Sequence, residues 1–392
     1  MNKTAWHLGV VGAGPVGLAL ALHAARLLPD ARITLYDARP LDRNIGADPR
    51  TLALSQGSVQ FLQRLGTWPA AQAQPITEVH VSQQPPSWGQ AEVRLKAAEI
   101  GVPQLGAVLS YGALVAPLQA AWLALAATEP QRLHSRFGTA VAAIKTLDGG
   151  VEIDAGIAEH HDLAVVAEGG VFAEQARKAL TGDYGQTAWV GTATLEGATV
   201  GMAFERFTRH GPAALLPLTP GADGRARAAL VWCVPSAADP VRALDDAQRL
   251  AVLNSIFPPA AGRLVALSTL KDFALGLNAE RTLVDGRTVR IGNAAQTLHP
   301  VAGQGLNLGL RDAHELVATL RWAEDLEAAL RRVEWARAAD RWTMIATTDF
   351  LARSFTWRLP GAAAARGLGL AALQALPPLK GWLARRMMFG GR

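Results

Sequence analysis

The sequence predicts an α/β protein in which a nucleotide-binding domain carries an inserted mixed β-sheet domain and ends in a helical region. Three observations predict it. A strand, a glycine-rich turn and an apolar helix open the chain. A run of strands fills residues 185–280, and a second glycine-rich stretch near residue 300 leads into a helical tail.

The opening unit is the most explicit. Trp6 to Val11 reads as a buried strand, Gly12-Ala13-Gly14-Pro15-Val16-Gly17 as a turn, and Leu18 to Leu28 as an apolar helix. Ile33 to Tyr36 is a second strand, ending in Asp37, 25 positions after Gly12 (37 − 12). Gly12, Gly14 and Gly17 permit the tight turn and the close approach of a pyrophosphate, and an acid at the end of the second strand holds a ribose hydroxyl. A lone G-x-G-x-x-G is weak; the strand–turn–helix–strand–acid context is what points to a dinucleotide and a Rossmann-like domain. The plainer reading of Asp37 is a solvated strand end.

Composition excludes several classes. Half of the 392 residues are hydrophobic and 18% are charged, so the chain can bury a large core. The single cysteine, Cys233, sits in the apolar run Leu230 to Val234, excludes an intramolecular disulfide and fits a reducing compartment. Net charge is +5, carried by scattered arginine without the concentrated patch that nucleic acid demands, so no nucleic-acid partner is expected. The first strand begins within a few residues of Met1, with no signal peptide before it. The most apolar stretch, Ala113 to Ala127, is short for a membrane span and contains Pro117 and Gln119. A cytoplasmic protein is expected, at most peripheral on the inner face of the cytoplasmic membrane.

In the middle of the chain, Gly46 to Leu54 forms a loop in which Arg50 follows a proline; taken alone it reads as a surface cation. Thr77 to Ser82 and Ala91 to Leu95 alternate as exposed strands do, and Tyr111 to Ala127 reads as a buried helix. Asp162 to Ala167 is a buried strand ending at Glu168-Gly169. Thr187 to Leu195, Gly201 to Phe207, Ala213 to Leu218 and Ala228 to Val234 read as a mixed sheet. The expected division is 1–75, 106–180 and 286–320 for the nucleotide-binding domain, 76–105 and 181–285 for the substrate domain, and 321–392 for the C-terminal helical region.

The chain returns to its first domain at Thr288 to Ile291, turns at Gly292-Asn293 and continues through Gly303-Gln304-Gly305-Leu306-Asn307 into a helix that starts near Gly303 and passes Asp312. Gly303, Gly305 and Gly309 leave backbone bare, so a flat ligand can lie against it. The helix behind aims free N–H groups at negative charge. A reduced flavin carries such charge around N1 and the C2 carbonyl. An ordinary glycine-rich loop with a helix cap explains the glycines equally well.

These separated segments together resemble the FAD-dependent aromatic hydroxylases. The string Asn293-Ala-Ala-Gln-Thr-Leu-His-Pro300 followed by Gly303 to Gly309 resembles the ubiquinone-biosynthesis hydroxylases, in the 2-polyprenyl-6-methoxyphenol hydroxylase branch. Phe204 to Pro212 and Asp48 to Leu54 fit the same branch. The resemblance implies that Gly12, Gly14 and Gly17 hold the FAD pyrophosphate, that Asp37 holds the adenosine ribose, and that Arg50 and Asn293 contact the middle of the cofactor. It also implies that Gly303 to Asn307 cradle the isoalloxazine, that Glu168, Gly169 and Gly292 belong to the cofactor site, and that Pro300 shapes the wall near the flavin's reactive edge. His299, beside Pro300, reads as either a structural loop histidine or a catalytic base. Asn293 and Glu168 stand where most members carry aspartate, and Glu168 bears on how the donor is handled.

In function, the resemblance implies a monooxygenase that uses NADH or NADPH and O2 to hydroxylate the ring of a polyprenyl phenol, with other ubiquinone-biosynthesis proteins as partners. The open alternatives are a flavin-binding scaffold of low activity and a hydroxylase of a soluble aromatic. No side chain stands out in the sequence as an acid or base. The tail, Leu368 to Arg392, mixes Trp382, Met387, Met388 and Phe389 with Lys380, Arg385 and Arg386. It reads either as helix packed on its own domain or as a segment lying on an anionic membrane surface.

Overall fold

The computed structural model describes residues 5–84, 91–169, 178–300, 303–354 and 361–391. The strand His7–Val11 is central to a six-stranded sheet, flanked by the parallel strands Leu163–Val166 and Arg32–Asp37. Leu133–Phe137 and Thr288–Arg290 extend it in parallel, and Val284–Asp285 closes one edge antiparallel. Every residue of Leu163–Val166 is buried, as expected of a strand covered on both faces.

The helix Pro15–Leu27 follows the glycine turn with proline in its first turn and buries Leu18, Leu20 and Leu22 completely or nearly so. Against it lies Tyr111–Thr128, long and apolar enough to cross a membrane, yet with Leu114, Val115, Leu118 and Trp122 all at 0% exposure in the same core. Only one stripe of this helix is buried, where the sequence pattern predicts burial throughout.

The second sheet has nine strands. Its long spine, Lys178–Glu196, pairs antiparallel with Ala226–Pro235, with Lys271–Glu280 and with Arg263–Leu267. Met202–Phe207 joins Pro212–Leu218 antiparallel and Glu78–Gln83 parallel, so strands from before residue 100 enter a sheet made mostly of residues after 178. The short strand Gln296–Thr297, inside the second glycine-rich stretch, pairs with Lys271–Glu280 and so ties the two sheets together.

Two small sheets do not appear in the sequence reading. Thr51–Ser55, Gly106–Ser110 and Gln74–Ile76 form one; Ala143–Leu147, Gly150–Asp154 and Ala158–His161 form the other. The second had a legible signal in Asp148-Gly149, a hairpin dipeptide between two runs of alternating polarity, with Gly149 at φ 75°.

The second glycine-rich stretch leads into the helix Gln304–Leu320, with Val301 and Ala302 outside the described residues. The 29-residue helix Leu326–Ser354 packs beside it. A buried charge network joins the two. Arg337 donates to Asp312 at 2.8 Å and to Asp340 at 2.8 Å, and Arg311 donates to Asp340 at 3.4 Å and to the Met387 carbonyl at 2.6 Å. Arg341, fully buried, donates to Gln296 at 2.6 Å and to the Glu280 carbonyl.

The tail forms two helices, Ala362–Ala375 and Pro377–Phe389. Lys380 is buried, donating to the Arg94 carbonyl at 3.1 Å and pairing with Glu99 at 2.8 Å, and Arg385 donates to the Ile100 carbonyl at 2.6 Å. Met388 and Phe389 pack with Ala97, Ile100 and Val108. Those cations and Met388 with Phe389 therefore face the protein, which for these residues favours the reading of the tail as helix packed on its own domain. Packing wins because Lys380 and Arg385 find carbonyl and carboxylate partners inside.

Removing one member of a buried ion pair costs about 3–5 kcal/mol, because the remaining charge stays buried without its counter-ion. Arg337→Met strips Asp312 of its arginine and should lower unfolding free energy by about that amount. Urea titration followed by circular dichroism checks it: the midpoint falls while the slope stays constant.

Candidate functional site

The first glycine turn is built by contact. Gly12 has φ 104°, and a Cβ there would lie 2.8 Å from both the Cβ and the backbone nitrogen of Glu168. A Cβ on Gly17 would sit 1.9 Å from the Gly12 carbonyl oxygen. Both are bare because the first helix, its strand and the strand Leu163–Val166 converge there. Gly14 differs. It has ordinary dihedrals, and the nearest atom to a Cβ would be the Tyr111 hydroxyl at 3.5 Å. It caps the first helix without any side-chain hydrogen bond, so the helix end turns its free N–H groups to open space, the arrangement that takes an anion.

Asp37 braces this turn. One carboxylate oxygen accepts from the Ala13 amide at 2.6 Å and the other from the Arg39 amide at 2.7 Å. Arg39 was not singled out from the sequence. Its guanidinium donates to the Ala13 carbonyl at 3.3 Å and to Gln119 at 2.9 Å, which places a largely buried cation beside an anion site. The signal was available: a cation two residues after the strand-end acid.

The second glycine stretch comes to meet the first. Gly292 has φ 62°, and a Cβ on Gly309 would lie 2.7 Å from the Gly292 Cα and 2.8 Å from Val16 Cγ2. Gly303, at φ 58°, caps the helix Gln304–Leu320 without a side-chain hydrogen bond. A Cβ on Gly305 would meet only Asn293 Oδ1, at 3.8 Å, so the first turn presents open backbone there. Leu306 is half-buried and packs against the large core.

Asn307 is spent on structure. Its Oδ1 accepts from the Ser55 amide at 2.8 Å and the Ser58 hydroxyl at 2.7 Å, and its Nδ2 donates to the carbonyls of Gly303 at 2.8 Å and Ala53 at 3.2 Å. The side chain positions the helix end, while the backbone is what a ligand meets.

The remaining expected residues spread around this centre. Glu168 stands against Gly12 with a buried Oε1 that has no hydrogen-bond partner among the described residues, and burial, then the nearby Asp37, raises its pKa. Gly169 is exposed with nothing within 4 Å of a Cβ. Arg50 pairs with Asp48 at 2.8 Å, with its guanidinium 4.2 Å from the centre of the Tyr111 ring, and its side chain is 67% exposed. Nothing in that pairing prevents Arg50 from swinging to a ligand at the site's edge.

The two residues expected at the reacting edge separate. Pro300 lines a cavity at the start of the helix Gln304–Leu320. His299 is 1% exposed, sits 3.2 Å from Gln186 Oε1 and edge-on to Tyr184 at 5.0 Å, and burial lowers its pKa to about 4. It is not among the cavity-lining residues and stays neutral near pH 7, so of its two readings the structure supports the structural one.

The cavity, about 300 Å³, begins at Ala53, Gly303, Gln304 and Asn307 and runs between the second sheet and the tail helices. Its walls are aliphatic: Val79 and Leu95 from two strands, Leu216 from another, and Leu373, Leu383 and Met387 from the tail. The strands that the sequence read as exposed are thus half-covered by the tail. One carboxyl lies in this wall. Glu205 alternates with Ala203 and Phe207 on Met202–Phe207, all three lining the cavity, and burial alone pushes its pKa up to about 8. Its part-exposed surface is the cavity's own. The strand alternation, an acid two residues from apolar neighbours on each side, was the sequence signal for it.

With this geometry in view, comparison with known proteins adds what the chain is similar to. An FAD binding domain family matches residues 186–357. Ubiquinone hydroxylase UbiL of Rhodospirillum rubrum is 38% identical over 212 residues, 52% of this chain and 48% of that protein. The 3-demethoxyubiquinol 3-hydroxylase of Escherichia coli is 29% identical over 398 residues, 97% of each. The chain therefore matches about half the length of the first relative and nearly all of the second. The chain is similar to FAD-dependent hydroxylases of ubiquinone biosynthesis and carries a match to an FAD binding domain.

Klebsiella pneumoniae HpxO, solved with FAD and uric acid, superposes with a TM-score of 0.75 at 18% identity over 99% of this chain and 98% of that one. At that identity the likeness shows the fold alone, that of the FAD-dependent aromatic hydroxylases. The family's cofactor fits the site. Two uncapped helix ends, open backbone at Gly14 and Gly305, and the unpartnered Glu168 oxygen surround the space where the two glycine stretches meet.

Gly14 separates folding from cofactor binding. Because its dihedrals suit any residue and the space beside it is open, Gly14→Val should fold with unchanged secondary structure. The valine occupies the space a pyrophosphate needs, so FAD per chain should fall from one to near zero. Absorbance at the flavin band after gel filtration checks this; retained flavin would contradict it.

Proposed function

We propose that the protein is an FAD-dependent monooxygenase that hydroxylates the aromatic ring of a polyprenylated phenol in ubiquinone biosynthesis, using NADH or NADPH and O2. The observation that carries this reading is the aliphatic cavity that opens directly onto the N-terminus of the helix Gln304–Leu320. In this reading Gly12, Gly14 and Gly17 face the pyrophosphate, and Asp37 through its brace, with Arg39, shapes the adenosine side. Arg50 and Asn293 border the middle of the cofactor. The backbone of Gly303 to Asn307 lies under the ring system, with Gly292, Gly169 and Glu168 around it and Pro300 between ring system and substrate. When bound, FAD passes electrons from the nicotinamide donor to O2 and so supplies the oxygen atom placed on the ring. The chain's own task is to orient the phenol and exclude water, which the aliphatic walls do.

A volume of about 300 Å³ is at the small end for a ligand site, enough for a ring and the start of a tail. The rest of a polyprenyl chain must lie outside, and the outer faces of the tail helices supply an apolar surface for it. Leu368, Leu376, Leu379 and Trp382 are 48–57% exposed there, with Arg386 beside Trp382. Trp382 and Arg386 come from the set read in the sequence, Leu368, Leu376 and Leu379 join them, and this face supports peripheral contact with a membrane.

Two outcomes are expected. Anaerobic NADH or NADPH should bleach the bound flavin, faster with a prenyl phenol present; no bleaching at any donor concentration would favour a scaffold of low activity. Leu379→Ser with Trp382→Ser should weaken flotation with anionic liposomes while flavin content stays at one per chain. Truncating the tail is the wrong test, since Leu383 and Met387 wall the cavity.

A further inference from the structure

A carboxyl group without a protein partner stands inside a cavity that is otherwise built to be apolar. Glu205 has no hydrogen bond or ion pair to any described residue, and around it each packed element presents uncharged side chains. The strand Glu78–Gln83 offers Val79 and Val81, Pro212–Leu218 offers Ala214 and Leu216, and the tail helices offer leucine and methionine. The one other titratable group among the described lining residues is the Cys233 thiol on Ala226–Pro235, itself pushed up by burial. The neighbouring charges point elsewhere: Arg206 donates to the Ile256 carbonyl at 3.1 Å, and His80 pairs with Glu92 at 3.1 Å. At the cavity's cofactor end Asn307 and the Ser55 amide engage each other, and Gln304 adds an uncharged amide. An unpaired buried carboxyl costs several kcal/mol, and alanine or leucine would close the wall at no such cost. Among the described residues it has no partner, and a polar group on a ligand in the cavity can supply one.

We propose that Glu205 is the residue that meets the substrate's phenolic hydroxyl, accepting its hydrogen bond and then its proton as the ring is attacked. The inference rests on the phenol reading above and adds the group that activates it. The phenol O–H bond breaks and the proton passes to a Glu205 oxygen. The electron pair left on the phenol oxygen is pushed into the ring, raising electron density at the ortho and para carbons, where the oxygen atom derived from O2 is added. The ring carbon then loses its own proton to solvent, and Glu205 returns the first proton to the phenol oxygen. Glu205 ends as it began, and no further oxidant is needed. Its elevation to about 8 suits the task. A surface glutamate near 4.3 is too weak to take a proton from a phenol near 10, whereas a carboxyl midway between is well matched near neutral pH.

The sign of the pH dependence is set by the carboxyl. Below about 8 it is protonated and cannot accept; above it the carboxylate is free to act. For the FAD-loaded enzyme and a short-chain phenol, kcat/KM should rise through an apparent pKa near 8. Glu205→Gln should abolish that rise and lower kcat/KM about 100-fold or more, a usual contribution for a general base. Glu205→Asp should keep the rising limb at a reduced rate. Fluorinated phenols, which ionise unaided at the assay pH, should recover most of the loss in Glu205→Gln. Independently of turnover, the wild type at pH 9 should bind the phenol about tenfold tighter than its O-methyl ether, and Glu205→Leu should bind the two alike, since a hydrogen bond to a charged group is lost. An unchanged pH profile in Glu205→Gln, or an equal loss for ionised and neutral phenols, overturns the proposal. A wild type that converts no phenol although its flavin is reduced overturns the phenol reading and this proposal with it, a result distinct from a wild type that turns over while Glu205→Gln keeps pace.

Discussion

The structure depends on a backbone contact at which three distant segments touch. Val16, Gly292 and Gly309 come so close that a single methyl group on Gly309 would lie within 2.8 Å of both others. Through that contact the helix after the first glycine turn, the turn at Gly292 and the helix Gln304–Leu320 are locked in one arrangement. The two helices that carry the uncapped ends are thereby fixed against each other. Asn307 adds the second constraint, joining the start of the later helix to Ala53, Ser55 and Ser58 with three hydrogen bonds and closing a fourth on the Gly303 carbonyl. Close backbone packing in place of side-chain ligands is what a site for a large, flat, anionic cofactor requires.

Charge is distributed by the same logic. The buried ions are gathered behind the site, where Asp312, Arg337, Asp340 and Arg311 satisfy one another and hold the later helices and tail together. In front of it the cavity is largely apolar, and Glu205 is the one carboxyl among its described lining residues. An isolated buried carboxyl shifts its own titration, as Glu205 does, and a paired buried ion holds structure. The molecule uses each in its place. The tail belongs to both regions: Arg311 grips the Met387 carbonyl while the Met387 side chain walls the cavity.

Local chemistry made the nucleotide-binding half legible. The turn from Gly12 to Gly17, Asp37, and the Gly292 to Asp312 stretch each carry their steric reason in the residue type, and the long strands of the second sheet announced themselves by apolar alternation. What was not legible depends on distant partners. Nothing in Lys380 or Arg385 reveals that carbonyls of residues 94 and 100 will receive them. His299 looked like a candidate base because it adjoins Pro300, but one residue along an extended segment reverses direction, and it went to Gln186 and Tyr184. Glu205 was hidden for the opposite reason: an acid in a strand reads as solvent-facing until the tail helices are seen to cover that face.

The central claim is that this chain uses the space between its two glycine stretches and its aliphatic cavity to put an oxygen atom from O2 onto a phenol ring. Turnover of a short-chain prenyl phenol by the FAD-loaded protein under 18O2 tests it most directly, with the product read by mass spectrometry. The account predicts a hydroxylated ring carrying one 18O atom per turnover. Product labelled only from water, or donor oxidised to give labelled hydrogen peroxide with the phenol untouched, would contradict it.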